Sequence, residues 1–384
     1  MSIGESTVLY LFVFLLTCLF TDHADRTFEI DRRTAYYYSA IAIFIPSLLA
    51  GVRADTVGKD VLEYAVRTFE LANSSSSFAN MKELTTEPLG YSLLAYITSR
   101  FFDDTGYFLF ASQLFVIGPV YIVAYKFRRR YPMWMTVCAY LFLFYNNSFN
   151  IMKQSVSSAL ILLFYCYLKE HKTFKAIICF LVAISFHSSA MFGLAFILIA
   201  FFLRSNRDKQ TKITFAVICA LLLMNLQGIS NFLLSNSLLP EKYTKNITAV
   251  FDMSTHVYLR IVGFNKHVFF DWVYRVLIVI LPIHYTQKAE KKVDGNVKVL
   301  ALIGLAFYTY VLAKFKTVYG GRISIYCDFF TILLVPALTK AFRRDTPYNK
   351  TAANCCVVAF MGIYWFVWVM IYGWSASNYF SFRF

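Results

Sequence analysis

Charged residues are scarce in this chain of 384 residues: they make up 15% of it, whereas hydrophobic residues make up 58%. Soluble domains carry roughly a quarter of charged residues, so this composition excludes an ordinary soluble fold and indicates an integral membrane protein. An aromatic content of 19% fits the same class, because aromatic side chains fill helix contacts and gather at both membrane interfaces.

Sequence patterns for several common chemistries are also missing. The eight cysteines lie in or beside apolar runs without zinc-ligand spacing, so we expect them to act as small hydrophobes in lipid-facing or core helices. The chain has no phosphate-binding lysine loop, no dinucleotide-binding glycine pattern and no Gly-x-Ser-x-Gly elbow. Asp103 and Asp104 are adjacent and do not form an Asp-x-Asp pair. We expect no metal and no cofactor. A Mg²⁺ site built from ligands in separate loops stays an open alternative.

Apolar runs long enough to cross a bilayer recur along the whole chain, which predicts a single transmembrane domain over residues 1–384. The first run lacks a basic flank and a small-residue cleavage site, so we interpret it as a span and not as a removed signal peptide. We predict about twelve spans, near residues 5–21, 34–51, 105–126, 133–149, 152–168, 174–186, 188–203, 213–230, 268–286, 297–315, 323–341 and 351–373.

The run over residues 174–203 fits either one long helix or two short ones. Its middle is the polar sequence Ser185-Phe186-His187-Ser188-Ser189, and a polar cluster is costly in lipid. A turn at this sequence is therefore favoured, and the split also keeps the basic loop at 204–212 on the same face as the other basic loops.

The formal net charge of +15 comes mostly from Lys and Arg in short loops, which indicates topology and lipid attraction and not nucleic-acid binding. Short basic loops lie in the cytoplasm. Both termini and the two long loops, 52–104 and 231–267, are then predicted to be extracytoplasmic. The loops that carry 22 Lys and Arg on the predicted cytoplasmic face are 22–33, 126–131, 169–175, 204–212, 288–298 and 340–350.

The loop at 52–104 holds thirteen charged residues, eight of them acidic. Within it, Glu87-Pro88 begins a segment in which apolar residues recur at helical spacing: Leu89, Leu93, Leu94, Ile97 and Phe101. Proline suits the first turn of a helix, and this pattern predicts a short amphipathic helix lying on the membrane interface.

Three cations stand where outer loops meet helix ends. Lys153 and Arg322 lie at the heads of two predicted spans, and Arg53 lies at the start of the long loop. Such groups suit a diphosphate, which arginine binds bidentately and lysine as a point charge. Alternatively, Arg53 or Arg322 pairs with Asp55 or Asp328, or reaches lipid headgroups.

Acidic residues and one histidine accompany these cations. Asp60 and Glu87 are carboxylates beside these cations, and a carboxylate can serve as a general base. Alternatively, Asp60 and Glu63 form a solvated helix face, and Glu87 favours the start of its helix through the dipole. His187 lies at the predicted turn between two spans, where an ionisable side chain is a functional hypothesis by default.

These residues occur in the order of known family motifs. The motifs are Gly51-x-Arg53, Gly58-x-Asp60 with Tyr64, Glu87-Pro88 with Tyr91, Lys153-Gln154, Phe186-His187-Ser188-Ser189-Ala190, and Gly321-Arg322 before Tyr326. The series resembles the EpsG-like branch of the Wzy-type polymerases of bacterial O-antigen, capsule and exopolysaccharide. The sequence departs from the family at two positions: Lys153 stands where Arg is usual, and Lys59 where Thr is usual.

The resemblance implies an all-α fold of the glycosyltransferase-C type and a metal-independent glycosyltransferase in the bacterial inner membrane. Such an enzyme transfers a glycan chain from undecaprenyl diphosphate to the terminal sugar of a lipid-linked acceptor on the extracytoplasmic side. A chain-length regulator and a repeat-unit flippase are the implied partners. The implied substrate-binding residues are Arg53, Tyr64, Lys153, Gln154 and Arg322, and the implied catalytic residues are Asp60, Glu87 and His187.

Two other classes stay open. A transporter or flippase for a lipid-linked glycan also needs many spans and intramembrane charge, but here the polar residues crowd one face and no repeat is visible. A membrane acyltransferase that modifies surface polysaccharide would use His187 as its central base.

Overall fold

The computed structural model describes residues 1–224, 265–288, 293–315, 320–341 and 347–383. The described residues form helices and no β-strand, with one isolated bridge between Arg53 and Phe382. The α-helices in chain order are α1 Ile3–Thr27, α2 Arg32–Gly51, α3 Arg67–Ser74, α4 Phe78–Leu84, α5 Leu89–Ser99, α6 Thr105–Phe127, α7 Met133–Tyr140, α8 Met152–Lys169, α9 Thr173–Phe186, α10 Ala190–Arg204, α11 Lys209–Met224, α12 Lys266–Lys288, α13 Gly295–Phe315, α14 Gly320–Asp328, α15 Thr331–Leu334, α16 Ala337–Ala341 and α17 Pro347–Trp365.

Three π-helical segments extend this set: Val61–Val66 before α3, Leu141–Tyr145 after α7 and Phe366–Ile371 after α17. The prediction of an all-α membrane protein is confirmed. Most of the predicted outer loop at 231–267 lies outside the described residues, and so does the end of the predicted span at 213–230.

Seven helical segments of the described chain are long and apolar enough to cross a membrane. They are α1, α2, α6, α13, most of α12, the run Gly321–Thr339 and the run Thr351–Ile371. The run Met133–Tyr145, α9 and α10 are apolar but shorter. The count of about twelve spans is not confirmed by these seven and stays a prediction.

The apolar run at 174–203 is two helices, as its polar middle predicted. Helix α9 has 14 residues and α10 has 15, with the turn between Phe186 and Ala190. At a rise of 1.5 Å per residue each is roughly 21–23 Å long, which is less than a bilayer core of about 30 Å. The turn therefore forms the tip of a short helical hairpin.

Ion pairs connect the loops at one end of the bundle. The pairs are Arg128 with Glu29, Lys126 with Glu170, Arg130 with Asp294, and Lys169 with Asp294. These contacts bring together the loops at 22–33, 126–131, 169–175 and 288–298, four of the loops assigned to one face from their basic charge. That this face is cytoplasmic stays a prediction.

Two glycines hold helices together at the opposite end. A Cβ on Gly106 would lie 2.6 Å from the carbonyl oxygen of Gly51, and a Cβ on Gly51 would lie 2.8 Å from Cβ of Phe110. Small residues of this kind let membrane helices approach closely. The contact joins the end of α2 to the start of α6 and so fixes where the long polar loop leaves the bundle.

The C-terminal segment packs across this same end. The Ala54 N–H donates to the carbonyl of Ser381 at 2.8 Å, and the Arg383 N–H donates to the carbonyl of Val52 at 2.9 Å. Arg383 Nε also lies 2.8 Å from Asp104 Oδ1. The start of the polar loop is therefore held from both sides, by α6 and by the C-terminal segment.

Helix α5 has its apolar side chains outward. The exposed residues are Leu89, Leu93 and Ile97, followed after the helix by Phe101. The buried face is made of smaller or polar residues: Tyr91, Ser92, Ala95, Thr98 and Ser99. This arrangement is the reverse of a helix on a soluble protein, and it fits the predicted interfacial helix, whose outer face contacts lipid.

We predict that Gly106→Ala lowers the unfolding temperature of the protein in detergent, because the added methyl group meets backbone and overpacking costs about 1–3 kcal/mol. Gly118→Ala in the same helix is the matched control, since a Cβ there has no heavy atom within 4 Å. The control should unfold at or above the wild-type temperature, because alanine favours a helix by about 1 kcal/mol over glycine. Equal losses in both variants would contradict the close contact.

Candidate functional site

Two adjoining cavities lie where the polar loop, α8 and α14 meet. The smaller one has a volume of about 140 Å³ and the larger one about 400 Å³. Their walls have Asp60, Asn150, Ile151 and Arg322 in common. A carboxylate and a guanidinium therefore lie at the boundary between the two spaces.

The position of Asp60 depends on the backbone of Gly58. Gly58 has φ +104°, its N–H donates to the carbonyl of Ala376 at 2.9 Å, and a Cβ there would lie 2.8 Å from the carbonyl oxygen of Phe149. The next N–H, of Lys59, donates to Asn150 Oδ1 at 2.7 Å. Only glycine combines this conformation with so close an approach, so the loop is held tightly just before Asp60.

Asp60 is half-buried at the boundary of the cavities. Burial raises the pKa of its carboxyl group, and this effect outweighs the nearby charges of Arg322 and Lys153, which lower the pKa. A carboxylate with a raised pKa is a better proton acceptor near neutral pH than an exposed one. The environment thus suits a general base.

Lys153 and Glu87, which the sequence assigned to different roles, form an ion pair. Lys153 Nζ lies 2.7 Å from Glu87 Oε2, and both side chains are mostly buried. The ammonium group also lies 4.3 Å from the centroid of the Tyr64 ring and 5.4 Å from that of Tyr91. Lys153 lines the smaller cavity, but its charge is partly balanced by Glu87. The untested roles of Lys153 and Glu87 stay predictions.

Arg322 is held through its backbone by Gln154. The Gln154 Nε2 amide donates to the Arg322 carbonyl, and Gln154 is 5% exposed. Lys153 and Gln154 belong to the first turn of α8, and Arg322 to the first turn of α14. The hydrogen bond therefore sets two helix beginnings side by side at the cavities.

His187 lines the smaller cavity at the tip of the α9–α10 hairpin. Burial, followed by the charges of Lys153 and Arg322, lowers the pKa of His187 to about 4. The Ser189 N–H donates to Nδ1 at 3.3 Å, and Ser189 Oγ lies 2.5 Å from the same atom. Because an N–H can only donate, Nδ1 is an acceptor and Nε2 carries the proton of the neutral ring. This tautomer favours an orienting role over that of a base.

The serine beside His187 continues into a hydrogen-bonded chain. Ser189 Oγ lies 2.7 Å from the hydroxyl of Tyr326, which in turn lies 3.3 Å from Ser157 Oγ. These residues belong to the hairpin turn, α14 and α8. The imidazole is therefore oriented by the same two helices that carry Arg322 and Lys153.

Arg53 is close to the site but lines neither cavity. It is 1% exposed, donates to the Ala50 carbonyl at 2.7 Å, and lies 4.0 Å from the centroid of the Phe149 ring. Burial lowers the pKa of Arg53 to about 10. In this position Arg53 packs behind the short 3₁₀-helix Asn147–Phe149. Contact between Arg53 and a diphosphate would require movement and stays a prediction.

Asp55 and Asp328, the alternative partners named for Arg53 and Arg322, form ion pairs with other arginines. Asp55 pairs with Arg383, and Asp328 Oδ2 lies 2.6 Å from Arg275 Nη1. Arg53 bonds to the backbone and not to Asp55.

Sequence analysis missed a charged cluster in the wall of the larger cavity. Arg275 Nε lies 2.8 Å from Asp271 Oδ2, beside the Arg275–Asp328 pair. The hydroxyls of Tyr308 and Tyr364 each donate to Asp271 at 2.9 Å. The four-residue spacing of Asp271 and Arg275 within one predicted span was a usable signal, because charges inside a span are rarely without function.

Nothing in the sequence indicated that the segment after the last span belongs to the site. This segment contributes Trp374 and Ser375 to the wall of the larger cavity. The Asn146 side chain, also in this wall, donates to Ser377 Oγ at 3.0 Å and accepts from Trp365 Nε1 at 2.8 Å. These contacts join residues more than 200 positions apart. No local pattern in the sequence reports such a contact.

Within the part of the chain that the structure describes, no group of three or more His, Cys, Asp or Glu side chains could hold a metal ion. All eight cysteines are described, and each is a free thiol. The candidate chemical groups that line the smaller cavity are Asp60, His187, Lys153 and Arg322.

The helical segments and the polar site at one end of the bundle define a multi-pass membrane protein of the all-α class. The family model of the EpsG family matches residues 36–384, and the chain belongs to that family. The resemblance seen in the motifs is confirmed, and with it a membrane protein of the polysaccharide-polymerase type. No curated protein and no solved structure matches the chain.

We predict that His187 stays neutral as the pH falls from 7 to 5, because protonation would place a third positive charge beside Lys153 and Arg322 in a buried position. The measurement is a ¹⁵N NMR titration of histidine-labelled protein in detergent, with His187 identified by the signal lost in His187→Gln. An ordinary midpoint near 6.5, or a proton on Nδ1, would contradict the described environment.

Proposed function

We propose that this protein is an oligosaccharide repeat-unit polymerase of the bacterial cytoplasmic membrane. It transfers a glycan chain from undecaprenyl diphosphate to the terminal sugar of a lipid-linked acceptor unit, with its site toward the periplasm or cell exterior. The observation that carries the proposal is the shared boundary of the two cavities, where Asp60 and Arg322 lie together. Family membership supports the same class of reaction.

The smaller cavity suits the diphosphate. Its wall contains the cations of Lys153, which pairs with Glu87, and of Arg322, together with the carboxylate of Asp60. Both cations lie in the first turns of helices, where unpaired backbone N–H groups and the helix dipole add partial positive charge. These positive groups stabilise the diphosphate more as its bond to the sugar breaks, since the leaving group then gains negative charge.

The described groups account for the bond that forms, the bond that breaks and the proton that is released in the transfer. A hydroxyl oxygen of the acceptor attacks the anomeric carbon of the donor chain, and the bond from that carbon to the diphosphate oxygen breaks. Asp60 takes the hydroxyl proton, and undecaprenyl diphosphate leaves with the bonding electrons beside Arg322. The Nε2–H of His187 donates to a sugar or phosphate oxygen and holds it in place. Glu87 acts through Lys153, whose ammonium group it orients.

A pH effect follows from the role of Asp60. Its pKa is raised by burial, so the fraction in the carboxylate form falls as the pH is lowered through that raised value. Transfer should decline over the same interval, because a protonated carboxyl group no longer accepts the proton of the acceptor.

We predict that Arg322→Ala abolishes the ladder of lengthened glycans formed by purified protein from lipid-linked repeat units. Loss of a charged group that stabilises a leaving anion typically costs about 10²–10³ in kcat. Arg322→Lys should keep part of the activity, since it keeps the charge and loses the bidentate fork. Arg67→Ala is the matched control, because Arg67 belongs to the same polar loop and is exposed.

The outcome separates the proposal from its alternatives. A ladder made by wild type and Arg67→Ala but absent in Arg322→Ala supports the polymerase. Movement of the lipid-linked unit across a vesicle membrane without bond formation would indicate a transporter, and ester formation from an acyl donor would indicate an acyltransferase. A wild-type ladder in Arg322→Ala would remove Arg322 from the site.

A further inference from the structure

The wall of the larger cavity carries charges of both signs in equal number. It contains three cations, Lys59, Arg275 and Arg322, and three carboxylates, Asp60, Asp271 and Asp328. The formal charges of these six side chains cancel. The larger cavity therefore suits a neutral polar ligand better than a second anion.

Its size agrees with such a ligand. A volume of about 400 Å³ lies within the roughly 300–1,000 Å³ of small-molecule sites, whereas about 140 Å³ lies below that range. The two spaces adjoin at Asp60 and Arg322, so one substrate can occupy both.

One side of the larger cavity is aromatic. The rings of Trp368 and Trp374 have their centroids 4.8 Å apart at 32°, and both residues line the space together with Tyr364. Trp374 is half-buried and reaches the cavity from the segment after the last span. Lys59 Nζ lies 5.9 Å from the centroid of the Trp374 ring, so this electron-rich face already attracts a cation. The weakly positive C–H groups of a sugar ring are attracted to such a face in the same way, and the exposed Lys59 side chain would move aside for them.

The other side has a hydrogen-bond donor and an acceptor that lack a partner among the described residues. Arg275 Nη1 pairs with Asp328 Oδ2, and Arg275 Nε pairs with Asp271 Oδ2. Asp328 Oδ2 also accepts from Ser324 at 2.8 Å. Arg275 Nη2 and Asp328 Oδ1 make no hydrogen bond to any residue within the described ranges. A donor and an acceptor carried by one ion pair match neighbouring hydroxyl groups of a sugar.

A purely structural role explains the charged cluster less well. Replacing a buried ion pair by apolar residues is often neutral or stabilising, and a charge within a span is costly. Here the charged groups border a cavity, and the side chains of Arg275 and Asp328 keep 26% and 16% of their surface exposed. Exposure toward a polar space is what a binding role requires.

We propose that the larger cavity is a glycan subsite, in which a sugar ring stacks on Trp374 and its hydroxyls bind the Arg275–Asp328 pair. The inference rests on the proposed polymerase function and adds where the sugar lies. The diphosphate occupies the smaller cavity, and the reacting anomeric carbon lies at the boundary between Asp60 and Arg322.

The test uses the repeat-unit oligosaccharide freed from its lipid diphosphate by mild acid, prepared from cells that lack this protein. Titrated into purified full-length protein, it should bind saturably by isothermal titration calorimetry, a measurement that does not depend on the fluorescence of Trp374. Trp374→Ala should weaken binding at least tenfold and Asp328→Asn several-fold, with unfolding temperatures near that of wild type. Trp134→Phe is the matched control, because Trp134 begins α7 at the opposite end of the bundle, where the neighbouring Met133 N–H donates to Asp25.

The subsite would be overturned if Trp374→Ala and Asp328→Asn bound the free oligosaccharide as tightly as wild type. It would also be overturned if wild type did not bind the free oligosaccharide. Either result can be obtained while wild type still forms a glycan ladder, in which case the proposed function stands. Conversely, Trp374-dependent binding by a protein that forms no ladder would support the subsite and contradict the polymerase.

Discussion

The hydrogen bond from the Gln154 amide to the Arg322 carbonyl joins the beginnings of two helices that are far apart in the sequence. Because of it, the cations of the first turns of α8 and α14 border the same small cavity. Asn150, just before α8, accepts from the Lys59 N–H and so holds the polar loop against the same point. The arrangement is set before any ligand binds, and a preorganised site spends no free energy on reorganisation when charge develops.

Lipid as the surrounding solvent explains why the polar groups are gathered so closely. A charge within a span is tolerated when it has partners or faces a polar cavity. The Lys153–Glu87 pair and the Asp271–Arg275–Asp328 cluster satisfy both conditions. The outward apolar face of α5 and the many exposed apolar side chains of the spans are the counterpart of this inward polarity.

Local sequence patterns predicted most of the helices. The apolar runs, the polar interruption at His187 and the Glu87-Pro88 helix start each report on a few neighbouring residues, and the structure confirms them. The resemblance to family motifs implied one site that also included Arg53 and Glu87. Asp60, Lys153, His187 and Arg322 line the smaller cavity, whereas Arg53 and Glu87 line neither cavity. The pairing of Lys153 with Glu87, the enclosure of Arg53 and the entry of Trp374 into the cavity depend on packing between distant segments, which no local pattern encodes. The four-residue spacing of Asp271 and Arg275 indicates a charged pair within one span, but it does not report the distant partners Asp328, Tyr308 and Tyr364.

The most direct test of the account is a cryo-EM structure of the Asp60→Asn variant with a lipid-linked repeat unit bound, since loss of the base should trap the substrate. We expect the diphosphate within hydrogen-bonding distance of Arg322, roughly 3 Å, and near Lys153, with the adjoining sugar toward Trp374. A diphosphate bound at the opposite end of the bundle, among Arg128, Lys169 and their neighbours, would contradict this expectation.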